Sequence, residues 1–181
     1  MLKNGYHLTY CTNIHPGESW EETFDNLQKS VPRIKRVVSP DNSFGIGLRI
    51  SDKASIALLE DDNLYKFTSW LSENDCYVFT LNGFPFGEFH HQVVKDQVHH
   101  PYWTTEARFD STSRLCDILS ALLPEGMVGG IYTSPLSYKY WDTVQQEKEM
   151  VLQKATLYMA KIAEKLYKIN LQNKQVLHLD I

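Results

Sequence analysis

Gln175-Val176-Leu177-His178-Leu179-Asp180-Ile181 is the stretch whose reading decides the fold. Leu177, Leu179 and Ile181 alternate with Val176, His178 and Asp180, the period of two that a strand imposes by pointing successive side chains to opposite faces. It is the fifth strand-like run, and each of the four before it leads into a run with helical spacing. The order β-α-β-α-β-α-β-α-β is that of a parallel sheet, because parallel neighbours need a crossover long enough for a helix. No turn, cap or helix follows Ile181. The expectation is therefore the N-terminal half of a (β/α)8 barrel, cut after strand five, with residues 1–181 forming a single partial domain.

Working outward, strand one spans His7 to Asn13, and Ser19 with Glu22 forms a capping box ahead of Trp20, Phe24, Leu27, Val31, Ile34 and Val38. Pro32 lies inside this helix and is expected to kink or divide it. Strand two, Phe44 to Ile50, precedes a helix capped by Asp52, carrying Ala54, Leu58, Leu64, Phe67 and Leu71 and broken at Asp61-Asp62-Asn63. Strand three, Cys76 to Asn82, is rich in β-formers. An irregular stretch from Gly83 to Trp103 follows, then a helix capped by Thr104 or Thr105 with Leu115, Ile118, Leu119 and Leu122 on one face. Strand four runs from Val128 to Ser134, and the long helix after it carries Val151, Ala155, Tyr158, Met159, Ile162, Leu166 and Ile169. A doubly wound sheet has the same element order, but no Gly-x-Gly-x-x-Gly turn follows strand one.

Composition removes several classes of function. A formal charge of −4 offers no basic field for nucleic acid, and no apolar run approaches the roughly 20 residues of a membrane span. With no apolar signal core at the start, the reading is cytoplasmic. Cys11, Cys76 and Cys116 are widely spaced, which suits reduced, small core residues better than disulfides or a thiolate zinc site. There is no Gly-x-Ser-x-Gly elbow, and Gly126, Gly129 and Gly130 lack the spacing of a phosphate loop.

If the bulky apolar set of each strand faces the helices, the other set faces the barrel interior. That places Gly45, Gly47 and Arg49 inside on strand two, with Asn13, Asn82, Ser134, His178 and Asp180 inside on the others. The polar strand ends converge on the carboxyl-terminal mouth, where barrel sites are built, and polar ends reaching solvent are the plainer alternative. An inward Arg49 needs an anionic partner, either a substrate carboxylate or phosphate or a salt bridge to Asp180. The Gly83–Trp103 stretch is too long for a simple connector and holds His90, His91, His99 and His100 with Lys95 and Asp96, groups suited to proton transfer. Adjacent histidines cannot readily aim at one ion, so no metal site is expected from the loop itself.

Four runs carry a family resemblance: His7 to Trp20, Asn82-Gly83-Phe84-Pro85, Val93-Val94-Lys95-Asp96-Gln97-Val98-His99, and Thr133-Ser134-Pro135-Leu136-Ser137-Tyr138. Together they resemble the EboE family of metabolite traffic proteins, within the xylose-isomerase-like barrel superfamily. The resemblance implies a TIM barrel and a truncated fragment of a longer protein, with a cytoplasmic role in processing or moving a small sugar-like or secondary metabolite. The partners implied are that metabolite and other proteins of a metabolite-traffic gene cluster. A divalent metal is implied for the full-length protein, with its ligands mostly on strands beyond these five and none within residues 1–181. Lys95, Asp96 and His99 are the implied catalytic residues, and Asn13, His15, Arg49, Asn82, Ser134, His178 and Asp180 the candidate substrate-binding set. Three functions follow: a metal-dependent sugar or sugar-phosphate isomerase, epimerase or lyase, inactive as the fragment; a barrel that binds or escorts a metabolite without converting it; and, if the mouth holds no ligand, an interaction scaffold.

Overall fold

The computed structural model describes residues 2–3, 5–87, 98–138 and 145–181. The architecture is α/β: a five-stranded parallel sheet whose strands alternate with helices. A short antiparallel hairpin, β1 (Leu2–Lys3) and β2 (Tyr6–His7), precedes it. The sheet is β3 (Thr9–Cys11), β4 (Phe44–Arg49), β5 (Cys76–Asn82), β6 (Val128–Tyr132) and β7 (Val176–Asp180), in the spatial order β3-β4-β5-β6-β7. Every neighbouring pair is parallel. The order contains no reversal, so the sheet has no switch point of the doubly wound kind.

The crossovers are α1 (Trp20–Val38), the pair α2 (Asp52–Leu58) and α3 (Asn63–Glu73), α4 (Glu106–Leu122) and α5 (Gln145–Asn173). The α1 capping box forms on Ser19 and Glu22. The helix runs unbroken through Pro32, so the expected division does not occur. The Gln28 carbonyl that loses its intrahelical donor sits on an exposed turn, where water can replace it. Ser51, not Asp52, caps α2: its hydroxyl accepts from Ala54 N–H at 3.1 Å, and Asp52 is the first helical residue, paired with Arg114. Thr105 caps α4 by accepting from Arg108 N–H.

The helices cover one face of the sheet. Ile46, Leu48, Val78, Leu81 and Ile131 are wholly buried there, against Leu27, Val31, Phe67, Leu115, Leu119 and Ile162. On the opposite face Thr9, Cys11, Val128, Tyr132, Val176, His178 and Asp180 are exposed. Cys76 and Cys116 are buried as small core residues, their thiols pushed up to about 11 and about 12 by desolvation. Cys11 is not in the core. It sits exposed on the open face of the edge strand, because β3 alternates Thr9 and Cys11 outward with Tyr10 toward the helices.

Strand β5 departs from simple alternation. Val78 pairs with Ile46 and Thr80 with Gly47, so Phe79 is a bulge between them. One extra residue reverses the facing of everything beyond it. Cys76, Val78 and Leu81 are buried, while Tyr77, Thr80 and Asn82 share the open face. Without the bulge Asn82 would follow Val78 under the helices. His7 of the hairpin meets the amino end of this face, its Nδ1 lying 3.0 Å from Tyr77 Oη. No helix among the described residues is long and apolar enough to cross a membrane.

Candidate functional site

Strand register assembles the site. Arg49 pairs with Asn82, Asn82 with Tyr132, and Tyr132 with Asp180, so these four side chains form one row across the carboxyl ends of β4 to β7. The row beneath, on the same face, is Cys11, Gly47, Thr80, Gly130 and His178. At Gly130 a Cβ would lie 2.9 Å from His178 Nε2 and 3.2 Å from Asp180 Oδ2, so an added side chain would push the imidazole aside. The bare backbone lets imidazole and carboxylate converge, with 3.4 Å between His178 Nε2 and Asp180 Oδ2. Both side chains are about half exposed, at 51% and 52%, and Tyr132 beside them is 43% exposed. An imidazole held against a carboxylate at an accessible strand end can take up and return a proton.

Arg49 belongs to the row, but its guanidinium is enclosed by the protein. It is 3% exposed, and its guanidinium donates to Gly17 O, to Glu18 Oε1 at 2.6 Å and to Gly87 O at 3.0 Å. Its backbone N–H donates to Thr12 Oγ1 at 2.8 Å. The salt bridge is with Glu18, not Asp180. Three strand spacings, about 14 Å, separate Arg49 from Asp180 in the sheet, beyond the combined grip of the two side chains. Arg49 instead ties the loop after β3 to the loop after β5.

The remaining candidates are dispersed. Asn13 lies in a 3-10 turn, Thr12–Ile14, rather than on a strand, because β3 ends at Cys11; its Oδ1 is buried without a hydrogen-bond partner. Ser134 lies two residues past the end of β6, fully buried; its carbonyl accepts from Trp103 Nε1 at 3.0 Å and its Oγ has no hydrogen-bond partner. His15 turns away from the row, with Nε2 2.7 Å from Tyr10 Oη, and burial holds its pKa below the usual histidine value. Asn82 Oδ1 accepts from Phe84 N–H at 3.0 Å, which shapes the chain's exit from β5. The His99 ring stacks on Tyr138, centroids 5.1 Å apart, and packs against Phe84. Lys95 and Asp96, with His90 and His91, lie outside the described residues.

Two residues that matter here escaped the sequence reading. Tyr132 has the same strand parity as Ser134, so alternation carried its signal once the strand end is set two residues earlier. Arg108 extends the buried α4 stripe of Thr112, Leu115 and Leu119 by one turn and is 1% exposed. Its Nε donates to Pro101 O at 2.7 Å, its Nη1 to Gly83 O at 2.8 Å and its Nη2 to Phe84 O at 3.2 Å. Desolvation lowers its pKa to about 10, still well above neutrality.

For a divalent metal the donor set is short. Among the described residues no group of three or more His, Cys, Asp or Glu side chains gathers as ligands. His178 and Asp180 supply two donors where about three or four are needed, so these residues do not by themselves fit the ion. No family model, curated protein or solved structure matches the chain.

Proposed function

We propose that the sheet is half of a (β/α)8 barrel resembling the xylose-isomerase-like EboE family, and that its carboxyl edge is a cytoplasmic small-molecule site. There a sugar-like metabolite is isomerised or epimerised by proton transfer. The observation that supports this most is the His178–Asp180 pair converging over Gly130, in line with Tyr132 and Asn82. Sequential strand order, with helices on one face, is what a barrel segment requires. In this reading His178 exchanges a proton with a carbon next to a carbonyl. Asp180 steadies the imidazolium that forms, and Tyr132 and Asn82 orient substrate oxygens.

The test is deuterium wash-in. The protein is incubated in D2O with a panel of aldoses and ketoses, with and without added manganese or cobalt, and proton NMR follows exchange at the carbon beside the carbonyl. Exchange that falls by about 100-fold or more in His178→Gln and Asp180→Asn is the expected result, the scale of losing a general base. Binding with no exchange in the unaltered protein would replace this reading with a metabolite-escorting barrel.

A further inference from the structure

We infer that the outward side of α5 is a docking seam for a helix of another protein, one whose apolar stripe is flanked by carboxylates. Every seventh residue of a helix returns to nearly the same angle. Met150, Leu157, Glu164 and Leu171 therefore form one line along α5, with Gln153, Ala160 and Tyr167 as a second line beside it. All seven are exposed, and Met150, Leu157, Tyr167 and Leu171 are each more than half exposed. The buried line of Ala155, Ile162 and Ile169 lies on the opposite side of the helix and already anchors it to the sheet. The outward stripe has no part in that packing. Neighbouring crossover helices lie beside α5, so they leave this side facing outward.

Width and charge identify the occupant. A stripe two residues wide, spaced by three and four and interrupted by Gln153 and Glu164, has the form of a helix-pairing seam, whereas a helix lying in a lipid interface needs a broad apolar face. Lys154, Lys161 and Lys168 follow one flank of the seam at seven-residue intervals, all exposed, and the other flank carries Glu149, Thr156, Ala163 and Asn170. The Lys161 ammonium lies over the Phe109 and Tyr158 rings, 5.5 and 5.2 Å from their centroids, which holds it at this flank. Glu164 enters the seam already paired with Lys168 at 2.6 Å. Two copies of α5 joined antiparallel would set lysine flank against lysine flank. Joined parallel, they would face Glu164 with Glu164 and offer the lysines Glu149 as the sole carboxylate of the opposing flank. The complement of this surface is thus an acidic helix rather than a second copy. With five lysines against three glutamates, α5 is a positive helix in a chain of formal charge −4, which suits it to such a partner.

Calorimetric titration tests this with two synthetic heptad peptides of about four repeats, each with a leucine seam, one flanked by glutamates and the other by lysines. The glutamate peptide is expected to bind at least tenfold more tightly than the lysine peptide. Leu157→Gln combined with Leu171→Gln should weaken it at least tenfold, and Lys154→Glu combined with Lys161→Glu should reverse the preference between the two peptides. Urea midpoints of both double variants should match that of the unaltered protein, because the positions are exposed. Equal binding of the two peptides, binding of neither, or a preference that the lysine substitutions leave unchanged would overturn the inference. Self-association in sedimentation that Leu157→Gln with Leu171→Gln abolishes would replace the acidic helix with a second copy. Flotation with phosphatidylserine vesicles that the same variant abolishes would replace it with a lipid surface.

Discussion

The two faces of the five-stranded sheet obey different rules. On the covered face Ile46, Leu48, Val78, Leu81 and Ile131 are interchangeable in kind: each is an apolar side chain filling space under helices. On the open face each position has its own character, with Gly130 beside His178 and Tyr132 beside Asp180, and one bulge decides which β5 residues take part. Volume and hydrophobicity govern the first face, identity and register the second. Stability should therefore reside in one face and ligand chemistry in the other.

The largest expected effect tests that division directly. Phe67 is fully buried, with its ring 5.1 Å from Trp20, 5.8 Å from Phe24 and 6.1 Å from Trp70. Phe67→Ala should cost about 3–5 kcal/mol in urea unfolding, because the transfer energy is lost and a cavity remains. Val176→Thr, on the open face and half exposed, should change stability by no more than about 0.5 kcal/mol. Comparable losses would mean that the open face is packed against something in solution, and sedimentation of the same samples would show whether that is a second copy.

Arg108 sharpens the comparison, since it is a charge placed on the covered side. Arg108→Met keeps much of the volume but strands the carbonyls of Gly83, Phe84 and Pro101, each costing about 1–3 kcal/mol when buried without a donor. A loss on the order of 3 kcal/mol is expected. A neutral result would show that water reaches these carbonyls and that the arginine is not what orders the chain after β5.

The same division explains what the sequence disclosed. Hydrophobic periods of two and 3.6 record the covered face, so the helices, the strands and the stripe of Ala155, Ile162 and Ile169 on α5 were legible. The open face leaves a weaker trace. Asn82 reaches it only through the Phe79 bulge, which alternation alone does not reveal, and Asn13 misses it because β3 gives way to a 3-10 turn after Cys11. Arg49 was correctly placed in the row, but its partner Glu18 lies 31 positions away on a loop, a pairing set by tertiary structure and not by any local pattern.

Two histidines, one on each side of the sheet, give the smallest and last effect. His178 stands half exposed on the open face, whereas His15 is partly buried against Tyr10, which points toward the helices. Burial lowers the His15 pKa from its ordinary value of 6.5, and desolvation, with a smaller contribution from Cys11, raises that of Tyr10 from 10.0. The pair is therefore favoured neutral on both members. On the acid side the unfolded chain binds the His15 proton first, so stability falls as pH drops below about 6.5 toward the lower folded value. On the alkaline side the unfolded chain loses the Tyr10 proton first, so stability falls again as pH rises through about 10 toward the higher folded value. Urea midpoints across pH should flatten on the acid limb in His15→Gln and on the alkaline limb in Tyr10→Phe. An acid limb that persists unchanged in His15→Gln would show that burial against Tyr10 does not disfavour the imidazolium, and the contrast between the two faces would fail at its most sensitive point.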